Sequence, residues 1–439
     1  MDLPAQPREI LTKAHQEGAR AAEILYTGRN GFDAIVEDQR VIRRAAVSSQ
    51  RLLVRVFLED GRTGQHEADS KDWEKSIVRA LKRAGDAKPD PLAGPVKGWT
   101  ISESGGLGID DKRYLSLSET ERMDVIMRAE KEARSVLPQA KTTGFGYSDQ
   151  RTRRVFANTK GVLVQEWSTL FEVSGTVSVP EKDLSIQGGV KARTFSSVAS
   201  LPYGTLLAQR VATLSGPTIS WDGPVRVMLH PRVSAEIFGL LADQFGEKRI
   251  GSRNVFLSKG RGKEGFFDRR IHMVDDGCLP GGLRTQLFDD RGVTSVPLTL
   301  LREGVVDHSF ISVGGARATE GRATGHSVRG KLRPSNLQIR GGTRSMTALI
   351  AEMNEQVFVI DHIRDLGASL NMKNGELDAL CSGRICCKGA EPKVLLNARL
   401  TGNLVDAFQR LVRLASDTDR YGHVDAPGMA LDGFTVSVD

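Results

Sequence analysis

What leaves this chain fewest options is a period-two alternation of apolar and polar positions between Thr143 and Ser197, cleanest in GVLVQEWSTLFEVSGTVSV. Successive side chains of a strand point to opposite faces, so the alternation predicts a meander of antiparallel strands. The same period recurs between residues 21 and 68, in AEILYTG, FDAIVED and LLVRVFLEDGRTGQH. Asp60-Gly61 falls between two of these runs, and both residues tolerate the positive φ of a tight hairpin turn. Helical spacing appears in an opening segment over residues 7 to 18 and again from about Ser70 to Gly85, where Trp73, Ile77 and Leu81 form one stripe. A further helix is announced by Ser118-x-x-Glu121, a capping box, with Met123, Ile126, Met127 and Ala133 directed inward.

At ~100 to 200 residues per domain, 439 residues should divide in two. The pattern breaks at SGPTISWDG, Ser215 to Gly223. The expectation is an α+β protein: residues 1–219 form an N-terminal domain of mixed sheet with helices, and residues 220–439 a C-terminal domain of largely antiparallel sheet with a few helices. The second half opens with a strand to Leu229, then His230, then a helix burying Val233, Ile237, Leu240 and Leu241, with Pro231 in its first turn. Short strands are expected near Arg270 to Val274 and Gln286 to Phe288, and a helix over Met346 to Met353. A strand over Gln356 to His362 follows, then strands across Leu370 to Leu400 turning at Asn374-Gly375 and Lys388-Gly389. Leu404 to Leu414 reads as a helix and MALDGFTVSV as the last strand. Asp86 to Asp111, rich in proline and glycine, should be loop. Arg284 to Gly342 is dense in glycine, which serves either turns between strands or close approach of another chain. Both uses stay open.

A hydrophobic fraction of 39% with 26% charged residues is that of a soluble globular protein, and no apolar run approaches the ~20 residues that cross a bilayer. The N-terminus has no apolar h-region and does not read as a signal peptide. Four cysteines, Cys278, Cys381, Cys386 and Cys387, are too few and clustered for a disulfide framework. A cytoplasmic protein is expected. The net charge of +7 reads as thinly spread, and the densest basic segment, Lys248 to Arg270, reads as a solvated loop anchored by Phe256, Phe266 and Phe267. Nucleic-acid binding is not expected.

Motifs that carry chemistry fail on inspection. Gly325-x-x-x-x-Gly330-Lys331 lacks the hydroxyl of a phosphate loop at Leu332, and Pro334 forbids the helix that should follow. Gly260-x-Gly262-x-x-Gly265 precedes loop and strand rather than helix. No two histidines lie one helical turn apart around a glutamate. Cys386 and Cys387, adjacent on a strand, point to opposite faces, so with Cys381 they read as buried thiols. Asp275-Asp276 and Asp289-Asp290 stand beside glycines, as ordinary turn residues do. One rival function stays open on the residues: an autonomous hydrolase using Asp289 or Asp290 with His308 or His326.

Taken in order, these features resemble the TldD/PmbA family, also called modulators of DNA gyrase, whose complexes act as cytoplasmic zinc peptidases. The resemblance is carried by LFDDRGVTSVPLTLLREGVV, GRATGHSVRG, PSNLQIRGG and APGMALDGFTVSV, with GARAAEILY and LLVRVFLEDGRTG less specific. The zinc-bearing subunits carry H-E-x-x-x-H on the first helix of the C-terminal domain and a cysteine ligand before the last strand. Here that helix, PRVSAEIFGLLADQF, holds Glu236 and no histidine, and SDTDRYGHVDAPG holds no cysteine. The resemblance therefore implies a PmbA-type (TldE-type) subunit with no catalytic or metal residue and no cofactor of its own. It implies zinc in a TldD-like partner, a heterodimer, and peptide substrates; the family's older name suggests, as a rival, a binding module acting on a DNA-associated target. Phe288, Asp289, Asp290, Gly325, Arg329 and Asn336 are the candidates for contact with partner or peptide.

Overall fold

The computed structural model describes residues 3, 5–97, 106–251 and 255–438, so parts of the expected loop Asp86 to Asp111 and of the basic segment lie outside the described residues. The chain is α+β, as expected. Its first sheet has six strands in the order β3-β2-β1-β4-β5-β6, and every pairing is antiparallel. The strands are β1 (Ala21–Glu37), β2 (Arg40–Phe57), β3 (Thr63–Asp69), β4 (Lys141–Asn158), β5 (Leu163–Val179) and β6 (Leu184–Ala192). Where the period suggested two short strands, β1 is one strand of 17 residues, because β2 pairs with it along its whole length. The turn between them is Asp38-Gln39, with φ of 51° and 58°, the backbone of a two-residue hairpin. Both backbone N–H groups donate to the carboxylate of Glu130, at 2.9 and 2.8 Å. That explains how a fully buried glutamate survives inside a helix: it ties the hairpin tip down.

One face of this sheet is dry. Ile24, Tyr26, Leu52, Val54 and Val56 pack against α1 (Pro7–Gln16) and α2 (Trp73–Gly85). Phe145, Tyr147, Phe171 and Val173 pack against α3 (Glu119–Val136) and residues 195–211, which include α4 (Phe195–Ala199) and α5 (Tyr203–Thr213). The capping box at Ser118 forms as read, with Ser118 Oγ accepting from Glu121 N at 3.2 Å and Glu121 accepting from Ser118 N at 2.8 Å. The Asp60-Gly61 turn is likewise present, with Gly61 at φ 84°.

From residue 222 onward the strands close on themselves. β7 (Asp222–Leu229) pairs with Val424–Ser437 on one side and, in parallel, with Val357–Ile363 on the other. Glu376–Cys386 and Lys393–Asn403 complete the ring back to Val424–Ser437. The mixed pairings thus fall in this sheet. α6 (Pro231–Ala242) drives Ile237, Phe238 and Leu241 into the largest core, where Phe238 stacks on Phe408 with ring centroids 5.4 Å apart. Phe256, Phe266 and Phe267 are buried in the same core, so they hold the basic segment down rather than face solvent.

Two expectations fail locally. The helix expected over Leu404 to Leu414 stops at Gln409, and Leu411–Tyr421 is a strand paired with Val424–Ser437. Gln286 to Phe288 is not a strand, because Leu287 N donates to the Glu166 carboxylate at 2.6 Å instead of to a ladder. Between Gly325 and Lys331, where a phosphate loop was tested, Ser327–Val328 and Lys331–Leu332 form a small hairpin turning on Arg329 (φ 49°) and Gly330 (φ 74°).

Candidate functional site

The open face of the first sheet is the floor of a cleft of about 900 Å³. Strand register places its residues. Thr27 stands opposite Arg51 on β2 and Arg154 on β4, and Arg154 stands opposite Glu166 on β5. One row along, Arg29 stands opposite Ser49 and Thr152. The roof is supplied by the second half, from residues 283–286 and 328–335 together with Asp290. Nine arginines and three carboxylates line the cleft, with one histidine, His66, and no lysine, phenylalanine, tyrosine or tryptophan. Part of the charge expected to be spread thinly is therefore gathered: Arg51, Arg55, Arg154 and Arg333 pair with carboxylates, and among the described residues Arg29, Arg83, Arg193, Arg284 and Arg329 have no ion-pair partner.

The arginines divide into two kinds. Arg154 is answered on every side, donating to Glu166 at 2.7 Å, Asp290 at 2.9 Å, Gln286 at 3.1 Å and the carbonyl of Phe288 at 3.0 Å. Burial opposes its charge, but Glu166 and Asp290 outweigh that and hold the guanidinium above its ordinary value. Arg29, on the neighbouring strand, has a buried Nε with no hydrogen-bond partner. Burial first, then the charges of Arg329 and Arg154, depress its pKa. Arg83, Arg193 and Arg284 hydrogen-bond backbone carbonyls, which accept a hydrogen bond without cancelling a charge.

The six residues expected to make contacts are placed as follows. Asp290 and Arg329 line the cleft, and Arg329 N donates to Asp290 Oδ2 at 2.5 Å. Phe288 is fully buried, its ring centroid 6.3 Å from that of Phe156. Asp289, 2% exposed, accepts from Arg291 N at 2.8 Å, Val293 N at 3.0 Å and Ser327 N at 2.9 Å, so it fixes the loop behind the wall. Burial pushes the Asp289 carboxyl up, against those three donors. Asn336 is buried between Arg284 N, the Asp276 carbonyl and Thr285 Oγ1. Gly325, at φ 73°, lies against the backbone of Thr294 and Ser295, where any side chain would collide. Phe288, Asp289, Gly325 and Asn336 thus build the wall from behind, with no surface turned to a ligand. The floor residues Arg29, Arg51 and Arg154 escaped sequence reading. Their signal is arginine at alternate positions of a strand, on the face opposite the apolar residues.

His326 Nε2 donates to Asp275 Oδ1 at 3.0 Å, and the ring stacks on Phe310 at 4.3 Å, fully enclosed. Its carboxylate partner is thus Asp275, not Asp289 or Asp290. His308 is exposed beside Asp307. Cys381 and Cys386 are buried free thiols, and burial pushes Cys381 up to about 12. Among the described residues no three His, Cys, Asp or Glu side chains are arranged to hold a metal ion.

A family model described as the PmbA/TldA metallopeptidase C-terminal domain matches residues 222–438, and one described as the central domain of the same metallopeptidases matches residues 112–214. The chain belongs to the PmbA/TldD family. Its relatives include a Methanocaldococcus jannaschii protein 23% identical over 97% of this chain and 98% of that one. Metalloprotease PmbA of Escherichia coli O157:H7 is 21% identical over 81% of this chain and 78% of its own. The fold is that of TldE from Thermococcus kodakarensis, with a TM-score of 0.84 at 17% identity over 98% of this chain and 99% of that one.

Membership gives the chain a metallopeptidase-related role, and α6 is then the element to test for zinc. His230 is its N-cap, with Nδ1 facing Arg232 N at 3.3 Å, and no histidine follows it on the helix. Arg232 lies over the Tyr421 ring at 4.4 Å. Burial raises the Glu236 pKa, while the charges of Arg232 and then Arg210 pull it back. Two guanidinium groups around one glutamate repel a divalent cation. These residues do not fit zinc.

Proposed function

We propose that this PmbA/TldD chain is the non-catalytic partner of a zinc-bearing TldD-like subunit, forming with it a cytoplasmic heterodimeric metallopeptidase that acts on unfolded peptides or peptide precursors. The observation that carries the reading is α6, which holds no histidine after His230 and whose Glu236 lies in the field of Arg232 and Arg210. A helix so charged supports the fold while the metal belongs to another chain. The glycine-rich wall from Arg284 to Gly342 and the cleft it roofs suit close approach of extended peptide backbone. The test is to purify the chain alone, a TldD-like subunit alone, and the two mixed, and to measure bound zinc and hydrolysis of an unfolded peptide in each. Zinc bound only where the TldD-like subunit is present, with hydrolysis strongest in the mixture, is the expected result. Stoichiometric zinc and peptidase activity in this chain alone would overturn the proposal.

A further inference from the structure

The sheet-floored cleft has the composition of an anion receptor. All nine of its cations are arginine, whose planar fork matches a carboxylate bidentately. Arg329 and Arg154 lie close enough to Arg29 to depress its pKa. Arg51, Arg55, Arg154 and Arg333 have carboxylate partners in the protein, whereas among the described residues no ion pair answers Arg29 or Arg329. A folded chain gains nothing by gathering like charges against a half-buried guanidinium with an unmatched Nε, unless something negative arrives. Between the arginines stand short hydrogen-bonding side chains, Thr27, Ser49, Thr152 and Ser168, which can serve the backbone of an extended segment.

We propose that this cleft binds an acidic peptide segment, with Arg29 and Arg329 each taking a side-chain carboxylate. The choice of a peptide rests on the peptide-handling function proposed above, but two observations favour it over nucleic acid. No phenylalanine, tyrosine or tryptophan lines the cleft, whereas single strands are held by stacking on such rings. The carboxylates of Glu67, Glu166 and Asp290 also interrupt the path that a continuous phosphate backbone would take. The occupant is an aspartate- or glutamate-rich stretch whose spaced charges fall between them. Bound there, it would restore to Arg29 the partner that Arg154 already has.

The test is fluorescence anisotropy of the full-length chain with a labelled glutamate-rich peptide, a lysine-rich peptide of equal length and an oligothymidylate of equal charge, at low and physiological salt. The glutamate-rich peptide alone should bind, more weakly as salt rises. Arg29→Glu with Arg329→Glu should weaken it at least about tenfold. Arg128→Glu, on the far surface of α3, should leave it unchanged. Circular dichroism and melting of each variant establish folding. Should the charge-reversed variant not fold, Arg29→Lys with Arg329→Lys takes its place, keeping charge and losing the fork, and should bind severalfold more weakly. Absence of binding by the glutamate-rich peptide, or an affinity unmoved by these substitutions, would overturn the inference. So would an oligothymidylate that binds as tightly and loses affinity in the same variants. Pairing with a zinc subunit without acidic-peptide binding removes this inference alone, and acidic-peptide binding without pairing removes the subunit assignment alone.

Discussion

Arg154 and Arg29 sit on neighbouring strands of one sheet, face the same cleft, and live in opposite electrostatic worlds. At Arg154 the two halves of the molecule meet, and both terminal nitrogens find carboxylates, Nη1 Glu166 and Nη2 Asp290. At Arg29 the charges of Arg329 and Arg154 add to burial and outweigh that of Glu67. The seam is thus finished by the fold, whereas the floor beside it is left electrostatically incomplete. What this teaches is that burial and charge do not by themselves distinguish structure from function. The presence or absence of an internal counter-charge does.

The largest expected effect comes from opening the seam. Arg154→Ala leaves Glu166 and Asp290 facing each other with no cation between them, and breaking such a buried pair typically loses about 3–5 kcal/mol. Urea unfolding of the variant against the parent chain measures it, and a loss under about 1 kcal/mol would mean that the seam charges are already hydrated.

A second prediction probes how far the unbalanced cations reach. Burial, and then the charge of Arg284, depress the His423 pKa to about 3 from an ordinary 6.5. Above 6.5 the ring is neutral in both states and contributes no pH dependence. As pH falls below that value the unfolded chain takes up a proton that the folded chain refuses until about 3, so stability drops by up to about 1.4 kcal/mol per pH unit. His423→Asn should flatten the unfolding free energy over that window by about one proton. Parallel pH profiles for variant and parent would place His423 outside this account.

Smaller effects bracket the comparison. Ser118→Ala removes an exposed helix cap remote in role from both arginines, and should lower stability by about 1 kcal/mol in the same assay. Arg29→Gln should change it by no more than about 0.5 kcal/mol, since the substitution deletes repulsion along with charge.

Much of the fold was legible because its rules are local. The capping box, the Asp60-Gly61 turn, the meander after Thr143 and the α6 stripe each depend on residues close in sequence. Leu404 to Leu414 was misread because LVDAFQRLVRL has helical spacing throughout, yet from Leu411 the edge offered by Val424–Ser437 outweighs propensity. The candidate site was harder. Asp290 and Arg329 stand out beside glycines, but Arg29, Arg51 and Arg154 become neighbours only through the register of three strands spread over more than a hundred residues. No spacing within one segment encodes that. The same distance hid the role of Asp289 and Asn336, whose partners on the far side of their loops make them supports for the wall.

The contrast between a finished seam and an unfinished floor is tested most directly by unfolding Arg154→Gln and Arg29→Gln side by side in urea at neutral pH. Arg154→Gln should fall several kcal/mol below the parent chain, while Arg29→Gln matches or exceeds it. Equal losses at the two positions would contradict the account, because Arg29 would then be held by the fold as firmly as Arg154.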